Sequence, residues 1–500
     1  VTARPQTAIR GVFSVAAANL AARVVAYGKH ILITAYIGLS AELDAFYMAT
    51  SVLSLAVFVF GDIFESLGVP RLVAALRDEG EEAFRNLAGS ILTFALILSC
   101  ALCAALYAAA PWTAAIAPGF DAARKDSVVR NLVWLGPMAA LYLPYHAAGS
   151  ILRARRRFLT FYLGETIIAA TTFLVILVWH DRPAVVPLSF SAAYVVVFAY
   201  AAAAAARHVR FPGSLRSAPF RAALAPLPSL IPLYLTGYLF TIVDRAFASF
   251  LPAGGVSALS YGLLIATIPT SLLMMDAIFM TPLAEATDRE PIMGRILAGT
   301  LIVSVPVATF LAVYAGPIVR AAFERGAFIQ VSTRQTAEAL RWFAAGLPGM
   351  FFWPVCYRLF QILERFRAVV ALALAAVGID AVLNYVFLRM GMGVGGIALA
   401  TSITFWVLSA GAAAGLGRFG IRLPAAAALQ VFLLSAAASA AALGAAAAVP
   451  LPASTTAGLL ARGAAFAACA CFLLWVAPHP AVRDWRDTIV RELAPWFPRR

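Results

Sequence analysis

The chain has 500 residues, 62% of them hydrophobic and 12% charged, with mean hydropathy +0.87 and formal net charge +14. Soluble domains average about 25% charged residues, so a soluble body is excluded, and no hydrophilic stretch is long enough to form a separate one. The positive charge gathers in alternate loops, which makes it an orientation signal before it is a nucleic-acid surface.

Crossing the hydrocarbon core takes about 20 apolar residues. Membrane spans are predicted in order at 10–37, 44–69, 86–110, 129–152, 159–179, 184–206, 222–250, 257–283, 292–317, 335–362, 367–388, 393–416, 425–449 and 457–478. With both termini placed inside, 25 of the 38 Lys and Arg fall in cytoplasmic segments and 10 in the opposite loops, the asymmetry expected of an even number of spans. No cleavable leader is evident, and span 1 is expected to start insertion and remain.

In span 1, Asn19, Arg23, Tyr27 and His30 share one helix face, with Lys29 about a third of a turn away. Lys29 and Lys125 are the only lysines. A charge near mid-bilayer costs at least about 2.5–3.5 kcal/mol. This basic wall is therefore expected to face a cavity and an anionic substrate such as a diphosphate; a structural ion pair or snorkelling to the interface is the blander account. Asp44 follows Ser40 at the start of span 2, where a carboxylate caps free N–H groups. Asp62 and Glu65 are expected to pair with Arg71 or with a base of span 1, while Glu165 and Asp276 stand as single carboxylates in apolar runs.

Further along, Asp244 lies in span 7, and Asp380 and Asn384 lie one turn apart in span 11. Thr401 follows Gly395-Gly396, where a loosened backbone would offer the carbonyl of Ile397. Such an oxygen set suits a hard cation such as Na⁺. Equally, Asp244 would pair with Arg245, and Asn384 would bond another helix. The five cysteines all fall in apolar spans and read as small buried hydrophobes. There is no phosphate-cradling glycine loop, H-E-x-x-H or G-x-S-x-G, so no enzyme motif is present.

Two six-span halves resemble each other at an offset of about 210 residues: Leu132, Trp134 and Pro144 lie opposite Leu340, Trp342 and Pro354. The expected fold is an all-α polytopic membrane protein with about 14 transmembrane helices. It would have two six-helix lobes in parallel pseudo-repeat around a central cavity, residues 1–215 and 216–422. Two additional helices over 423–480, Ala-rich and lipid-facing, and a basic cytoplasmic tail over 481–500 complete it.

Several stretches resemble one family. Arg23-Val24-Val25-Ala26-Tyr27-Gly28-Lys29 and Leu43-Asp44-Ala45-Phe46-Tyr47 are similar to the first two helices of MurJ/MviN-type lipid II flippases. Val243-Asp244-Arg245-Ala246, Phe323-Glu324-Arg325-Gly326-Ala327-Phe328 and Gly396-Ile397-Ala398-Leu399-Ala400-Thr401-Ser402 extend the similarity over about 10–420. The family belongs to the multidrug/oligosaccharidyl-lipid/polysaccharide exporter superfamily.

The resemblance implies a flippase, not an enzyme, moving a polyprenyl-diphosphate-linked sugar across the bacterial inner membrane by alternating access. It implies substrate contacts at Arg23, Lys29 and Asp44, which Asn19 joins by its place on the helix face of Arg23, and a sodium site at Asp244, Asp380, Asn384 and Thr401. Coupling to Na⁺ or H⁺ is expected, with no other cofactor, no nucleic acid, and a monomer among membrane lipids. The family's paired arginines in span 2 fall on Val57 and Phe58, and its span 8 arginine on Leu264. An exopolysaccharide or O-antigen unit is therefore an alternative substrate. A cation-coupled small-molecule antiporter and a membrane-embedded glycan enzyme are the competing classes.

Overall fold

The computed structural model describes residues 25–182, 184–273, 283, 286 and 288–493, and every regular element among them is helical. Ten described helices are long and apolar enough to cross a membrane. The other four expected spans are interrupted (4 and 10) or run into residues outside the described set (1 and 8).

Two compact units form, one of Val1–Gly254 with Arg325–Phe328 and one of Gly255–Glu324 with Ile329–Arg500. Span 7 thus groups with the first six, where the division at 215/216 assigned it to the second lobe. Its helix Leu227–Ala248 packs on span 2 within the first unit. Arg245 fixes that contact. Its Nη1 donates to the Tyr47 carbonyl (2.8 Å), Thr50 Oγ1 (3.2 Å) and Ser51 Oγ (2.9 Å), and its guanidinium lies 5.1 Å from the Tyr47 ring centroid.

Span 2 is one continuous run, Ala41–Leu53, a π turn at Ser54–Phe58 and Val59–Asp78. It ends where Gly80, at φ 89°, donates its N–H to the Ala75 carbonyl. Left-handed backbone there suits glycine.

Spans 4 and 10 break in the same way. Ala122–Trp134 gives way to Gly136–Ala154, and Gln330–Ala345 to Leu347–Ile362, each second helix carrying proline in its first turn, Pro137 and Pro348. Proline fits there because that N–H has no intrahelical partner. The loosened carbonyls are answered alike in the two units. Ser191 Oγ of span 6 donates to the Trp134 carbonyl at 2.6 Å, and Ser402 Oγ of span 12 to the Trp342 carbonyl at 2.6 Å. This pair of matched hydrogen bonds is the internal repeat at atomic level.

In the second unit, spans 13 and 14 (Ala425–Ala447 and Thr456–Val476) pack on span 9, Glu290–Val313, around Leu301, Val305, Val431 and Leu474. Arg462 of span 14 satisfies itself on the carbonyls of Ala446, Val449 and Leu451, a snorkelling arginine. The tail forms a helix, Pro480–Leu493, whose Val482 joins this core. Cysteine burial is uneven: Cys103 and Cys356 are buried, whereas Cys100 and Cys471 are exposed at the helix surface.

Candidate functional site

The first unit holds a polar network inside apolar helices. Lys29 of span 1, in the helix over 25–37, sits half-buried with its Nζ 4.8 Å from the Phe190 ring centroid of span 6. Glu165 of span 5 lies within Coulombic reach of Lys29 and accepts a 3.5 Å hydrogen bond from the Tyr145 hydroxyl. Tyr145 stacks edge-on against Tyr194 and His146, at 5.9 and 5.2 Å between centroids. Asn19, Arg23 and Asp276 lie outside the described residues.

Next to these rings is a charge cluster. Glu65 of span 2 takes a 2.7 Å contact from His146 Nδ1 on one oxygen and a 3.0 Å hydrogen bond from Arg153 Nη1 on the other. One turn earlier Asp62 accepts from the Tyr238 hydroxyl at 2.7 Å. Two glycines allow the close approach. A Cβ on Gly61 would run into the Tyr142 ring, and one on Gly68 would stand 3.2 Å from Ser150 Cβ. Span 4 therefore lies against span 2, and Tyr142, His146, Ser150 and Arg153 share its inward face at helical spacing.

This corrects one expectation. Among the described residues Glu65 pairs with span 4 rather than with Arg71, because the glycine face of span 2 admits span 4. Arg153, although it stands beside the run Arg155–Arg157, belongs to helix Gly136–Ala154 and turns inward, while Arg155 holds Glu81 through two 2.8 Å hydrogen bonds.

The positions that the resemblance gives to arginines are apolar and packed. Val57 is fully buried, and Phe58 stacks on Tyr142 at 4.5 Å. Both lie in the π turn, a distortion that recurs at functional sites. Leu264 is half-buried in the second unit.

Asp44 is buried, and its Oδ2 accepts from the Gly254 N–H at 2.7 Å. Ser40, not Asp44, caps span 2, accepting from Leu43 N at 3.2 Å. The carboxylate answers instead a backbone N–H of the loop after span 7.

The four expected cation ligands divide between the units. Asp244 is buried in the first. In the second, Asn384 Nδ2 donates to Asp380 Oδ2 at 3.1 Å, and Thr404 Oγ1, which sequence reasoning missed, donates to Asp380 Oδ1 at 3.3 Å. Thr401 Oγ1 donates to the Ile397 carbonyl at 3.1 Å. The expected loosening at Gly395-Gly396 is absent, since Gly393–Gly417 runs through it as one helix. These glycines serve packing instead. A Cβ on Gly395 would meet Glu338 Oε1 at 2.5 Å, and one on Gly396 would meet Met392 Cβ at 2.7 Å. Among the described residues no group of three His, Cys, Asp or Glu could hold a metal ion.

The family model of the lipid II flippase MurJ matches residues 33–464. A probable lipid II flippase MurJ of Chlamydia pneumoniae is 24% identical over 425 residues, 80% of this chain and 75% of that protein. A solved lipid II flippase MurJ in an inward closed conformation superposes with TM-score 0.80 at 20% identity, covering 95% of this chain and all of the other. An inward-facing multidrug resistance MATE family transporter of the MOP superfamily gives TM-score 0.59 at 16% identity, covering 81% of this chain and 94% of the other. At these identities the solved structures establish the fold; the family assignment rests on the family match. The chain belongs to the MurJ lipid II flippase family, a family of multi-pass transporters of the bacterial inner membrane rather than enzymes.

Proposed function

We propose that this protein carries a polyprenyl-diphosphate-linked sugar, lipid II or a related lipid-linked glycan, from the inner to the outer leaflet by alternating access. The observation that supports it best is Lys29. Within the polar interior of the first unit it presents a cation from span 1, in a chain of the lipid II flippase family. A half-buried ammonium in an apolar helix is costly, and an anionic headgroup repays that cost. Arg23 belongs to this proposal on sequence grounds, as does Asn19, while Asp44 supports the fold around them. Coupling to Na⁺ or H⁺ is part of the same reading, with the Asp380, Asn384 and Thr401 oxygens as the second unit's ligands for a hard cation, and Asp244 as the first unit's candidate.

A second reading follows from Val57 and Phe58. Packed apolar groups stand where cations were expected, which favours an exopolysaccharide or O-antigen unit over lipid II. Depleting the protein and identifying the lipid-linked precursor that accumulates in the inner leaflet separates the two. Accumulated lipid II supports the first, and a normal lipid II pool with another accumulated precursor supports the second. Stably expressed Lys29→Ala protein that flips precursor at the normal rate would remove the substrate role of Lys29.

A further inference from the structure

The Glu65, His146 and Arg153 cluster has a feature that the function above does not use. Arg153 spends Nη1 on Glu65, and its guanidinium face lies 4.5 Å from the Phe161 ring centroid. The remaining two nitrogens, Nε and Nη2, are buried and have no hydrogen-bond partner among the described residues. They form one edge of the guanidinium, the fork that grips two oxygens of a carboxylate or phosphate at once. An unanswered fork in an apolar interior is expensive. Oxyanion binding would answer it.

The charges around the fork explain how its strength would vary. Span 2 supplies Asp62 and Glu65, span 4 supplies His146, Arg153, Tyr142 and Tyr145, span 5 supplies Glu165, span 6 Tyr194 and span 7 Tyr238. Glu165 faces Tyr145, from whose hydroxyl it accepts a hydrogen bond. Among the described residues Asp62 and Glu65 stand with Arg153, a net negative group while His146 is neutral and a balanced one once it is protonated. Protonated His146 takes over the charge of Glu65 and leaves the guanidinium's field to another anion.

We propose that Arg153 is an oxyanion-binding residue for the substrate's diphosphate, and that the His146–Glu65 pair gates it by binding a proton. This rests on the flippase reading for the identity of the ligand. Arg153 then supplies in span 4 the cation that span 2 lacks at Val57 and Phe58. His146 and Glu65 are positioning residues: they act through Arg153. Both fork nitrogens are covered in this conformation, so the site opens and closes with the transport cycle.

The test uses full-length protein in detergent, with a short-chain polyprenyl diphosphate and inorganic diphosphate as separate probes. Binding is measured between about pH 5.5 and 8, the range that brackets an ordinary histidine. Wild-type affinity should fall as pH rises. Arg153→Gln should weaken binding tenfold or more at every pH, with Arg153→Lys intermediate. His146→Gln should bind with a flattened pH profile, and His146→Asn serves if that variant does not fold. Because the diphosphate titrates too, the decisive quantity is the difference between wild-type and His146→Gln profiles. Wild-type affinity in folded Arg153→Gln, or an unchanged profile in both His146 variants, would overturn the proposal. Inorganic diphosphate bound through Arg153 by a protein that moves no lipid would uphold the site and sink the flippase reading instead.

Discussion

Arg245 is the best place to test the packing of the first unit. Its guanidinium reaches from span 7 into span 2, with three acceptors on Nη1 at 2.8–3.2 Å and the Tyr47 ring beneath it at 5.1 Å. Nη1 carries two protons, so two full hydrogen bonds are available at a time. Hydrogen bonds between helices in membranes average about 0.6 kcal/mol and reach about 1.7. A desolvated cation over an aromatic face adds about 2 kcal/mol. The gross interaction is then about 3–5 kcal/mol. Truncation returns part of this by releasing a buried charge. It also leaves few orphans, because Thr50 and Ser51 keep their own hydrogen bonds to the Tyr47 carbonyl at 2.7 and 3.1 Å. Arg245→Ala should therefore destabilise the protein by about 2 kcal/mol net, and Arg245→Lys by about half as much. Equilibrium unfolding in bicelles titrated with a denaturing detergent, followed by tryptophan fluorescence, measures both. A loss below about 0.5 kcal/mol in the alanine variant, the size of an ordinary surface change, would refute the clamp.

Gly61→Leu should cost about 1–3 kcal/mol through overpacking against Tyr142 and separate Glu65 from His146, seen as loss of the His146–Glu65 hydrogen bond in histidine NMR spectra. Ser191→Ala and Ser402→Ala should each cost about 0.5–1.5 kcal/mol, and nearly equal values would report the repeat energetically. Asp121 caps helix Ala122–Trp134 by accepting from Arg124 N at 2.8 Å, and that backbone hydrogen bond holds its carboxyl below the usual carboxylate range. Its stabilising effect should be complete above about pH 4, the unfolded value, and fade as pH falls through the lowered one. Asp121→Asn keeps the cap and should abolish that pH dependence in acid unfolding curves.

The spans and the repeat were readable because hydropathy and the Trp134–Trp342 correspondence survive in one dimension. The breaks in spans 4 and 10 were less so. Pro137 and Pro348 announce a helix start, yet they stand inside unbroken apolar runs, and hydropathy alone joins the two pieces. The π turn at Ser54–Phe58 leaves no compositional mark. The Glu65 cluster was missed for a different reason. His146 and Arg153 lie seven residues apart on the face of Tyr142 and Ser150, but Arg153 stands beside the run Arg155–Arg157, whose charge reads as a loop. What spacing could not supply was the partner helix, which depends on the bare face left by Gly61 and Gly68. The Asp380–Asn384 contact was legible at one-turn spacing, whereas Thr404, a helix away, was not.

The segment Arg325–Phe328 belongs to the first unit although the chain reaches it only after leaving that unit at Gly254. There the Ala327 N–H donates to the Ala35 carbonyl at 2.7 Å, and a Cβ on Gly326, at φ 58°, would collide with the same carbonyl. The end of span 1 is thus closed by residues made more than seventy positions after Gly254. At a synthesis rate of about 5–20 residues per second, the roughly 290 residues from Ala35 to Ala327 take about 15–60 s, and the helix that carries Lys29 waits that long for this backbone partner.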